Sequence, residues 1–335
     1  MNEVRHPGVM ADPTVSDGDS TRRGLELPDL DERRPPWQGK VEEAGGVRLH
    51  VRRTEPELSP PDAPTAVYLH GLGGSSTNWT DMGRLLAPWA RGVAVDLPGF
   101  GFSEPEADFD FSLRQHADRV ARYVRGLDTG PVHVLGNSMG GAIAILLSAR
   151  WPELVRSVTL ISPAVPDLRP SLSRLSDPRL ALAYLPVVGT RARKQLLEMT
   201  PEQRVRQVLE LCFHDPSRYP PHRVAELVEE YQQRSGYQWA VSAMGRSTLG
   251  IFKGWVAWGP RSMWRALEQI TAPSLVVWGA RDRVISSRKA TRTVRSLRNG
   301  RLLMLPDTGH VAQMEQPRRV AEATLQLWQE TETER

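Results

Sequence analysis

Residues 132–141 read VHVLGNSMGG, an apolar run that leads into Gly-x-Ser-x-Gly and then into a helix-forming segment. This order predicts a buried strand, a sharp turn and a helix. Gly136 and Gly140 flank the serine because larger side chains would clash in so tight a turn. The turn would place the Ser138 hydroxyl at the N-terminus of the new helix, where backbone N–H groups and the helix dipole favour negative charge. Ser138 is therefore a candidate nucleophile; the alternative is a glycine-flanked turn with an incidental serine.

The alternation of strand and helix continues on both sides of this turn. Short apolar strands are predicted at residues 66–69, 93–95, 132–135, 158–161, 275–278 and 301–305, and helices at residues 79–89, 112–126, 139–150, 286–297 and 311–330. Near-continuous apolar strands suit burial on both faces, and their alternation with helices implies a parallel sheet with right-handed crossovers. Before them, a Gly-Gly turn between residues 41–43 and 47–51 predicts a hairpin.

The first 38 residues do not follow this pattern. They are polar, acidic and broken by proline and glycine, with five Lys/Arg against eight Asp/Glu. Such a segment buries too little apolar surface to offset the entropy of ordering, so we expect a disordered tail at residues 1–38. Packing against the body through Leu25, Leu27 and Trp37 is the alternative.

A second interruption, residues 164–270, contains helical patterns at 195–212, 221–233 and 238–250 and no convincing strand. It predicts a helical cap inserted into an α/β core formed by residues 39–163 and 271–335. Trp255, Trp258 and Trp264 of this cap are interpreted either as pocket lining or as packing within the cap.

Bulk properties exclude several classes of protein. Hydrophobic residues make up 40% and charged residues 24%, as in ordinary globular domains. The basic residues are interleaved with acids and form no tight cluster, so we expect no nucleic-acid partner. The sequence contains no secretory apolar stretch near its start and no apolar run of the ~20 residues that a membrane span needs. With one cysteine, Cys212, we expect a soluble cytoplasmic protein without disulfides; its oligomeric state stays open.

A serine nucleophile needs a base, and eight histidines compete for that role. His310 lies in a loop just after the last predicted strand, where ligands meet an open α/β sheet. His133 is interpreted as a core histidine and His116 as part of a surface helix. His310 is therefore the candidate base.

The base in turn needs a carboxylate that fixes its tautomer. Asp282 comes just beyond the end of the strand at 275–278 and is the candidate acid. Asp167 remains an alternative, while Asp96 and Asp307 are interpreted as shaping their own loops.

An oxyanion formed at Ser138 would need two N–H donors. Met139, directly after the serine, supplies one. The glycine-rich loop HGLGGSS at residues 70–76 supplies the second, with Leu72 N–H as the candidate. Gly71 would let the backbone approach the substrate, and His70 would hold the loop in place; a flexible glycine turn is the alternative.

Five motifs together resemble the α/β-hydrolase superfamily over about residues 40–330: HGLGGS at 70–75, DLPGFGFS at 96–103, GNSMGG at 136–141, GARDRV at 279–284 and DTGHVAQME at 307–315. The chain order Ser138, Asp282, His310 is that of the superfamily. The resemblance implies an α/β-hydrolase fold with a mostly parallel sheet of about eight strands, helices on both faces, and the insertion as a cap over the site.

Within the superfamily, the substrate class is indicated only by positions at which this sequence differs from the usual residues of a subfamily. Dehalogenases and epoxide hydrolases of this fold use an aspartate nucleophile, which Ser138 argues against. GNSMGG resembles the elbow of the meta-cleavage C–C bond hydrolases, but those usually have tryptophan after the catalytic histidine, where this chain has Val311. We therefore expect a carboxylesterase or lipase-like enzyme acting on a small-molecule ester, without metal or organic cofactor. C–C bond hydrolysis is second, and a low-turnover ligand-binding protein of the same fold is third.

Overall fold

An eight-stranded sheet forms the centre of the computed structural model, which describes residues 26–168 and 199–333. Its strands are β1 (Gly39–Ala44), β2 (Val47–Arg53), β3 (Thr65–Leu69), β4 (Arg91–Val95), β5 (Val132–Asn137), β6 (Val155–Ile161), β7 (Ser274–Gly279) and β8 (Gly300–Leu305). Their order across the sheet is β1-β2-β4-β3-β5-β6-β7-β8. From β4 to β8 all neighbours are parallel, while β1 and β2 are antiparallel additions at one edge. The predicted sheet is confirmed.

The edge hairpin is closed by a two-residue turn. Ala44 pairs with Val47, and the two glycines between them both have positive φ, 57° and 69°. A two-residue turn with positive φ at both positions matches the right-handed twist of the strands, which is why glycine is favoured there.

Helices cover both faces of the sheet. They are α1 (Thr80–Leu86), α2 (Leu113–Gly126), α3 (Met139–Arg150), α4 (Pro201–Cys212), α5 (Pro221–Arg234), α6 (Trp239–Val256), α7 (Met263–Gln269), α8 (Lys289–Arg295), α9 (Ala312–Glu315) and α10 (Pro317–Thr333). Apolar side chains of α2, α3, α7 and α8 pack on one face, and those of α1 and α10 on the other. α3 lies in the middle of its face and is apolar on all sides, as suits a helix that is almost entirely buried.

The C-terminal helical region is divided in two. A single helix was expected over residues 311–330, but α9 and α10 are separated at Gln316, which has φ −139° and ψ 60°. The cause is Pro317, because the proline ring disfavours helical geometry in the residue before it.

The described part of the insertion, residues 164–168 and 199–270, contains α4 to α7 and no strand. The helix expected at 195–212 is present from Pro201, and its residues 195–198 lie outside the described residues. A small apolar cluster joins α4 and α5 to the core through Val311, with Val205, Leu209, Phe213 and Tyr219 as its other buried members.

Residues 26–38 differ from the expected disordered tail. Leu27 and Trp37 are buried, as the alternative interpretation had it. Arg84 of α1 lies over the Trp37 ring and donates a hydrogen bond to the Pro35 carbonyl, 2.6 Å away. The earlier part of the segment, including Leu25, lies outside the described residues.

None of the helices in the described ranges combines the length and the apolar character needed to cross a membrane.

Candidate active site

The turn between β5 and α3 holds Ser138 in a strained conformation. Its φ is 53° and its ψ −114°, which is rare for a residue with a side chain and costs on the order of 1–3 kcal/mol. The strain is held by hydrogen bonds from Ser138 N to the Ile161 carbonyl, 3.0 Å, and from Ala164 N to the Ser138 carbonyl, 2.8 Å. Backbone strain of this kind concentrates at functional sites.

The two flanking glycines are required by close backbone contacts. A Cβ on Gly140 would lie 2.1 Å from the Leu69 carbonyl oxygen, and a Cβ on Gly136 would lie 2.4 Å from the Gly140 oxygen. Both contacts are with backbone atoms, which cannot move aside as the end of a flexible side chain can. The glycines therefore let α3 begin directly against the ends of β3 and β5.

His310 and Asp282 lie together, each in a loop after a strand. Nδ1 of His310 is 2.9 Å from Oδ2 of Asp282, and the carboxylate is fully buried. The other Asp282 oxygen accepts hydrogen bonds from the N–H groups of Val284, 2.8 Å, and Ile285, 3.0 Å. Because an ionised carboxylate only accepts hydrogen bonds, Nδ1 is the donor, which leaves Nε2 of His310 free to accept a proton.

Ser138 is 9% exposed and His310 is 4% exposed. Among the described residues, the Ser138 hydroxyl makes no hydrogen bond, to His310 or to any other group. Hydrogen bonds of this kind are often long without substrate and tighten when it binds.

Asn137 is a site residue to which the sequence analysis assigned no role. Its side-chain amide donates to the carbonyl of His310, 3.0 Å, and to that of Ile161, 3.1 Å. Since Asn137 directly precedes Ser138, these bonds join the serine turn to the histidine loop. The contact spans 173 positions of the chain and follows only from the folded arrangement of β5 and β8.

The loop after β3 passes close to Ser138. A Cβ on Gly71 would lie 3.2 Å from the Cβ of Ser138, so Leu72 follows at the edge of the serine turn. Met139 is the first residue of α3, and its N–H is among those that a helix leaves without an internal partner. The structure thus brings both predicted oxyanion donors to the same side of the fold as Ser138.

His70 connects this loop to the next one. Its Nε2 accepts a hydrogen bond from Leu97 N, 3.0 Å, so Nδ1 is the nitrogen that donates to the Gly71 carbonyl, 2.7 Å. Complete burial lowers the pKa of His70, which keeps the ring neutral and this pattern of donors in place.

Asp96, interpreted from sequence as a turn residue, holds the same loops through its buried carboxylate. It accepts hydrogen bonds from Ser76 N, 2.6 Å, and Phe102 N, 2.9 Å, and lies 2.7 Å from Nδ1 of His50. Burial by itself raises the pKa of Asp96, but the hydrogen bond and charge of His50, with the Phe102 N–H, lower it to about 2. The carboxylate therefore stays ionised and keeps the loop after β3 in position.

The alternative acids lie elsewhere. Asp167 accepts a hydrogen bond from Ser286 N, 3.1 Å, and lies 3.5 Å from Nζ of Lys289. Asp307 is exposed, and its backbone carbonyl accepts from the Gln316 amide, 3.3 Å. These contacts stabilise loops, and the carboxylate hydrogen-bonded to His310 is that of Asp282.

Two other histidines belong to the core. His133 lies 2.7 Å from the Ser157 hydroxyl and stacks on Trp328, in agreement with its interpretation as a core residue. His116 was expected in a surface helix, but it is on the buried face of α2 and is completely buried. Burial lowers the pKa of His116 to about 3, although the negative charge of Asp110 acts in the opposite direction.

Among the described residues, no group of three or more His, Cys, Asp or Glu side chains is placed to hold a metal ion. Burial and the charge of Asp282 raise the pKa of the Cys212 thiol to about 12, so it is protonated at neutral pH.

Comparison with known proteins finds a matching family and relatives of several kinds. Residues 64–317 match the family described as alpha/beta hydrolase fold. Monoacylglycerol lipase ABHD6 of Homo sapiens is 25% identical over 267 residues, which cover 78% of this chain and 74% of the lipase. The 2-hydroxy-6-oxononadienedioate/2-hydroxy-6-oxononatrienedioate hydrolase of Escherichia coli K12 is 26% identical over 280 residues, 82% of this chain and 89% of that protein. A solved membrane phospholipase A, a bacterial virulence factor, has a TM-score of 0.71 at 23% identity and covers 88% of this chain and 86% of its own.

The family match runs from the start of β3 to the start of α10 and so includes the turn of Ser138 and the loops of Asp282 and His310. The sheet order and the turn at Ser138 are consistent with it. The chain belongs to the α/β-hydrolase family.

Proposed function

We propose that the chain is a serine hydrolase that cleaves a carboxylic ester of a small or medium apolar substrate through an acyl-enzyme. The observation that carries the proposal is the hydrogen bond between His310 and Asp282, 2.9 Å, in loops beside the strained turn of Ser138. A serine, a histidine with a free Nε2 and a buried carboxylate form the set of groups that acyl transfer requires.

In the first half-reaction, Ser138 Oγ attacks the ester carbonyl carbon while Nε2 of His310 takes its proton. The carbonyl oxygen becomes an oxyanion, which the N–H groups of Leu72 and Met139 stabilise. Asp282 stabilises the imidazolium without taking the proton itself. When the oxyanion collapses, the C–O bond of the ester breaks, His310 protonates the leaving alcohol, and the acyl group stays on Ser138.

The second half-reaction returns the serine. His310 removes a proton from a water molecule, and the resulting hydroxide attacks the acyl carbon through a second oxyanion in the same place. The Ser138 oxygen then leaves and takes the proton back from His310. The acid is released, and no metal or organic cofactor takes part.

Contacts of α6 in the insertion support the proposal that the substrate is apolar. α6 lies over the loop after β3, since a Cβ on Gly73 would lie 2.7 Å from the methyl of Met244. Over its 18 residues α6 carries no acidic side chain, and Trp255 near its end donates to the Ala164 carbonyl, 2.8 Å. Ala164 itself bonds to Ser138, so α6 reaches the residues that hold the serine.

Ester hydrolysis and C–C bond hydrolysis both have relatives at similar identity. The residue after His310 favours the ester. Val311 is buried in the cluster that joins α4 and α5 to the core, in the place where the C–C hydrolases usually carry tryptophan. In this chain the position holds a valine that packs in this apolar cluster, which supports a lipase or esterase.

Labelling tests the nucleophile. A fluorophosphonate probe should label the wild type and the control Ser296→Ala, because the Ser296 hydroxyl bonds to the Arg292 carbonyl at the end of α8. Ser138→Ala should not be labelled. Normal labelling of Ser138→Ala would reject Ser138 as the nucleophile.

A substrate panel decides between the reactions. p-Nitrophenyl esters of two to twelve carbons and a meta-cleavage dienoate are supplied to the wild type, and kcat/KM is compared. We expect the esters to be preferred; preference for the dienoate would make C–C hydrolysis the function. Labelling of Ser138 with no turnover of either class would support a ligand-binding protein.

A further inference from the structure

Glu315 is a buried carboxylate that the proposed mechanism does not use. It is 8% exposed and stands at the end of α9, five residues after His310. Its Oε2 accepts a hydrogen bond from Gly309 N, 2.7 Å, and its Oε1 from Asp215 N, 3.1 Å. The N–H of His214 lies between the two oxygens, 3.1 Å and 3.2 Å away. Among the described residues, no Lys or Arg pairs with it.

These donors come from two separate parts of the chain. Gly309 precedes His310 in the loop after β8, while His214 and Asp215 follow α4 in the insertion, about 100 positions away. A direct bond runs beside the carboxylate, from His310 N to the Cys212 carbonyl, 2.6 Å. The His310 loop is therefore connected to the insertion directly, through the Cys212 carbonyl, and indirectly, through the Glu315 carboxylate.

Gly309 lies so close to the backbone of residues 212–214 that a side chain would not fit there. A Cβ there would lie 2.3 Å from the Cys212 oxygen and 2.6 Å from His214 N. Because these are backbone atoms, the histidine loop and residues 212–215 can approach this closely only with glycine. The two backbone segments that bond to Glu315 are thus also in close contact with each other.

We propose that Glu315 is a positioning residue, which fixes the loop of His310 to residues 212–215 and makes this part of the insertion a component of the catalytic framework. The inference rests on the proposed function for its kinetic consequences. Its physical basis is independent: three N–H groups, one buried and two partly buried, share one carboxylate, and a buried donor without a partner costs about 1–3 kcal/mol.

Glutamine has the shape of glutamate but not its hydrogen-bonding pattern. Whichever way the amide is turned, its NH₂ group faces at least one backbone N–H, so a bond is lost and two donors meet. Displacement of a reacting group by about 1 Å can cost about 100-fold in rate. We therefore expect Glu315→Gln to lower kcat by about 10- to 100-fold while KM changes less than about threefold, and Glu315→Ala to lower kcat further.

The pH profile separates positioning from loss of fold. A displaced His310 loses support from Asp282, which weakens the protonated ring, so the acid limb of kcat should move to lower pH in Glu315→Gln. Glu210→Gln is the control, since Glu210 is an exposed carboxylate of α4. A kcat and acid limb equal to those of wild type in Glu315→Gln would overturn the proposal.

Hydrogen–deuterium exchange makes the test independent of ester turnover. Glu315→Gln should exchange faster than wild type at residues 307–311 and also at 213–216, with Glu210→Gln unchanged. Faster exchange at both segments in a protein that cleaves no ester would leave the coupling standing and reject only the proposed function. Unchanged exchange at residues 213–216 would reject the coupling whether or not esters are cleaved.

Discussion

His310 and Asp282 meet through a bond of 2.9 Å although their loops follow different strands, β8 and β7. The two loops are also joined by backbone bonds from Ala280 N to the Leu305 carbonyl, 2.8 Å, and from Arg281 N to the Thr308 carbonyl, 3.0 Å. The carboxylate therefore meets a ring that the backbone already holds, and it determines which ring nitrogen carries the proton.

Replacing Asp282 by asparagine should abolish most of the activity. An amide NH₂ facing Nδ1 would favour the tautomer with the proton on Nε2, which cannot accept the Ser138 proton. We expect kcat to fall by about 1,000- to 10,000-fold with little change in KM. Steady-state kinetics on the best ester measures this, and exposed Asp307→Asn should behave as wild type. Unchanged turnover in Asp282→Asn would assign the acid role to another residue.

Gly140→Ala tests the packing of the serine turn. The new Cβ would lie 2.1 Å from the Leu69 oxygen and 2.6 Å from the His70 oxygen, so α3 must shift away from β3. We expect a loss of about 1–3 kcal/mol in the free energy of unfolding, measured by urea denaturation, together with lower kcat. Gly245→Ala in α6 is the control, because nothing lies within 4 Å of that Cβ and alanine favours helix. Equal stability of the two variants would contradict this account.

The central turn and its neighbours could be predicted because their cause is local. α3 has the predicted bounds, residues 139–150, since the glycine-flanked serine sets its start and Trp151-Pro152 follows its end. The strands were found from apolar runs, each one to three residues shorter than the observed β3 to β7. Short-range pattern also sufficed to nominate His310 and Asp282, because both stand just beyond a strand.

Contacts between distant segments could not be predicted in this way. Glu315 was part of a motif but had no assigned partner, because its donors at 214 and 215 come from the insertion. His116 was placed on a surface, since a lone histidine in a helix does not reveal which face is buried. Asn137 acts on His310 through an amide whose direction depends on the finished sheet.

His116→Phe should make the free energy of unfolding less sensitive to acid. The ring is buried against Phe100, Phe109 and Phe111, both of its nitrogens lack partners among the described residues, and burial lowers its pKa to about 3. Below an unfolded-state pKa of 6.5 the unfolded chain binds a proton that the folded chain refuses, so stability falls as pH falls from 6.5 towards 3.

Phenylalanine has no such proton, so the variant lacks this slope. From pH 7 to pH 5 we expect wild type to lose about 2 kcal/mol more than His116→Phe, measured by urea denaturation at each pH. Parallel losses in the two proteins would show that the folded state accepts the proton at His116 near the ordinary pKa.

The two tryptophans near the end of α6 should differ sharply in their effect on stability. Trp255 is 9% exposed and donates its indole N–H to the Ala164 carbonyl, while Trp258 is 87% exposed. We expect Trp255→Ala to lower the free energy of unfolding by about 3–5 kcal/mol and Trp258→Ala to change it by less than about 0.5 kcal/mol. Urea denaturation measures both. A large loss in Trp258→Ala would mean that its ring is covered in solution, and a small loss in Trp255→Ala would mean that α6 is not held to Ala164.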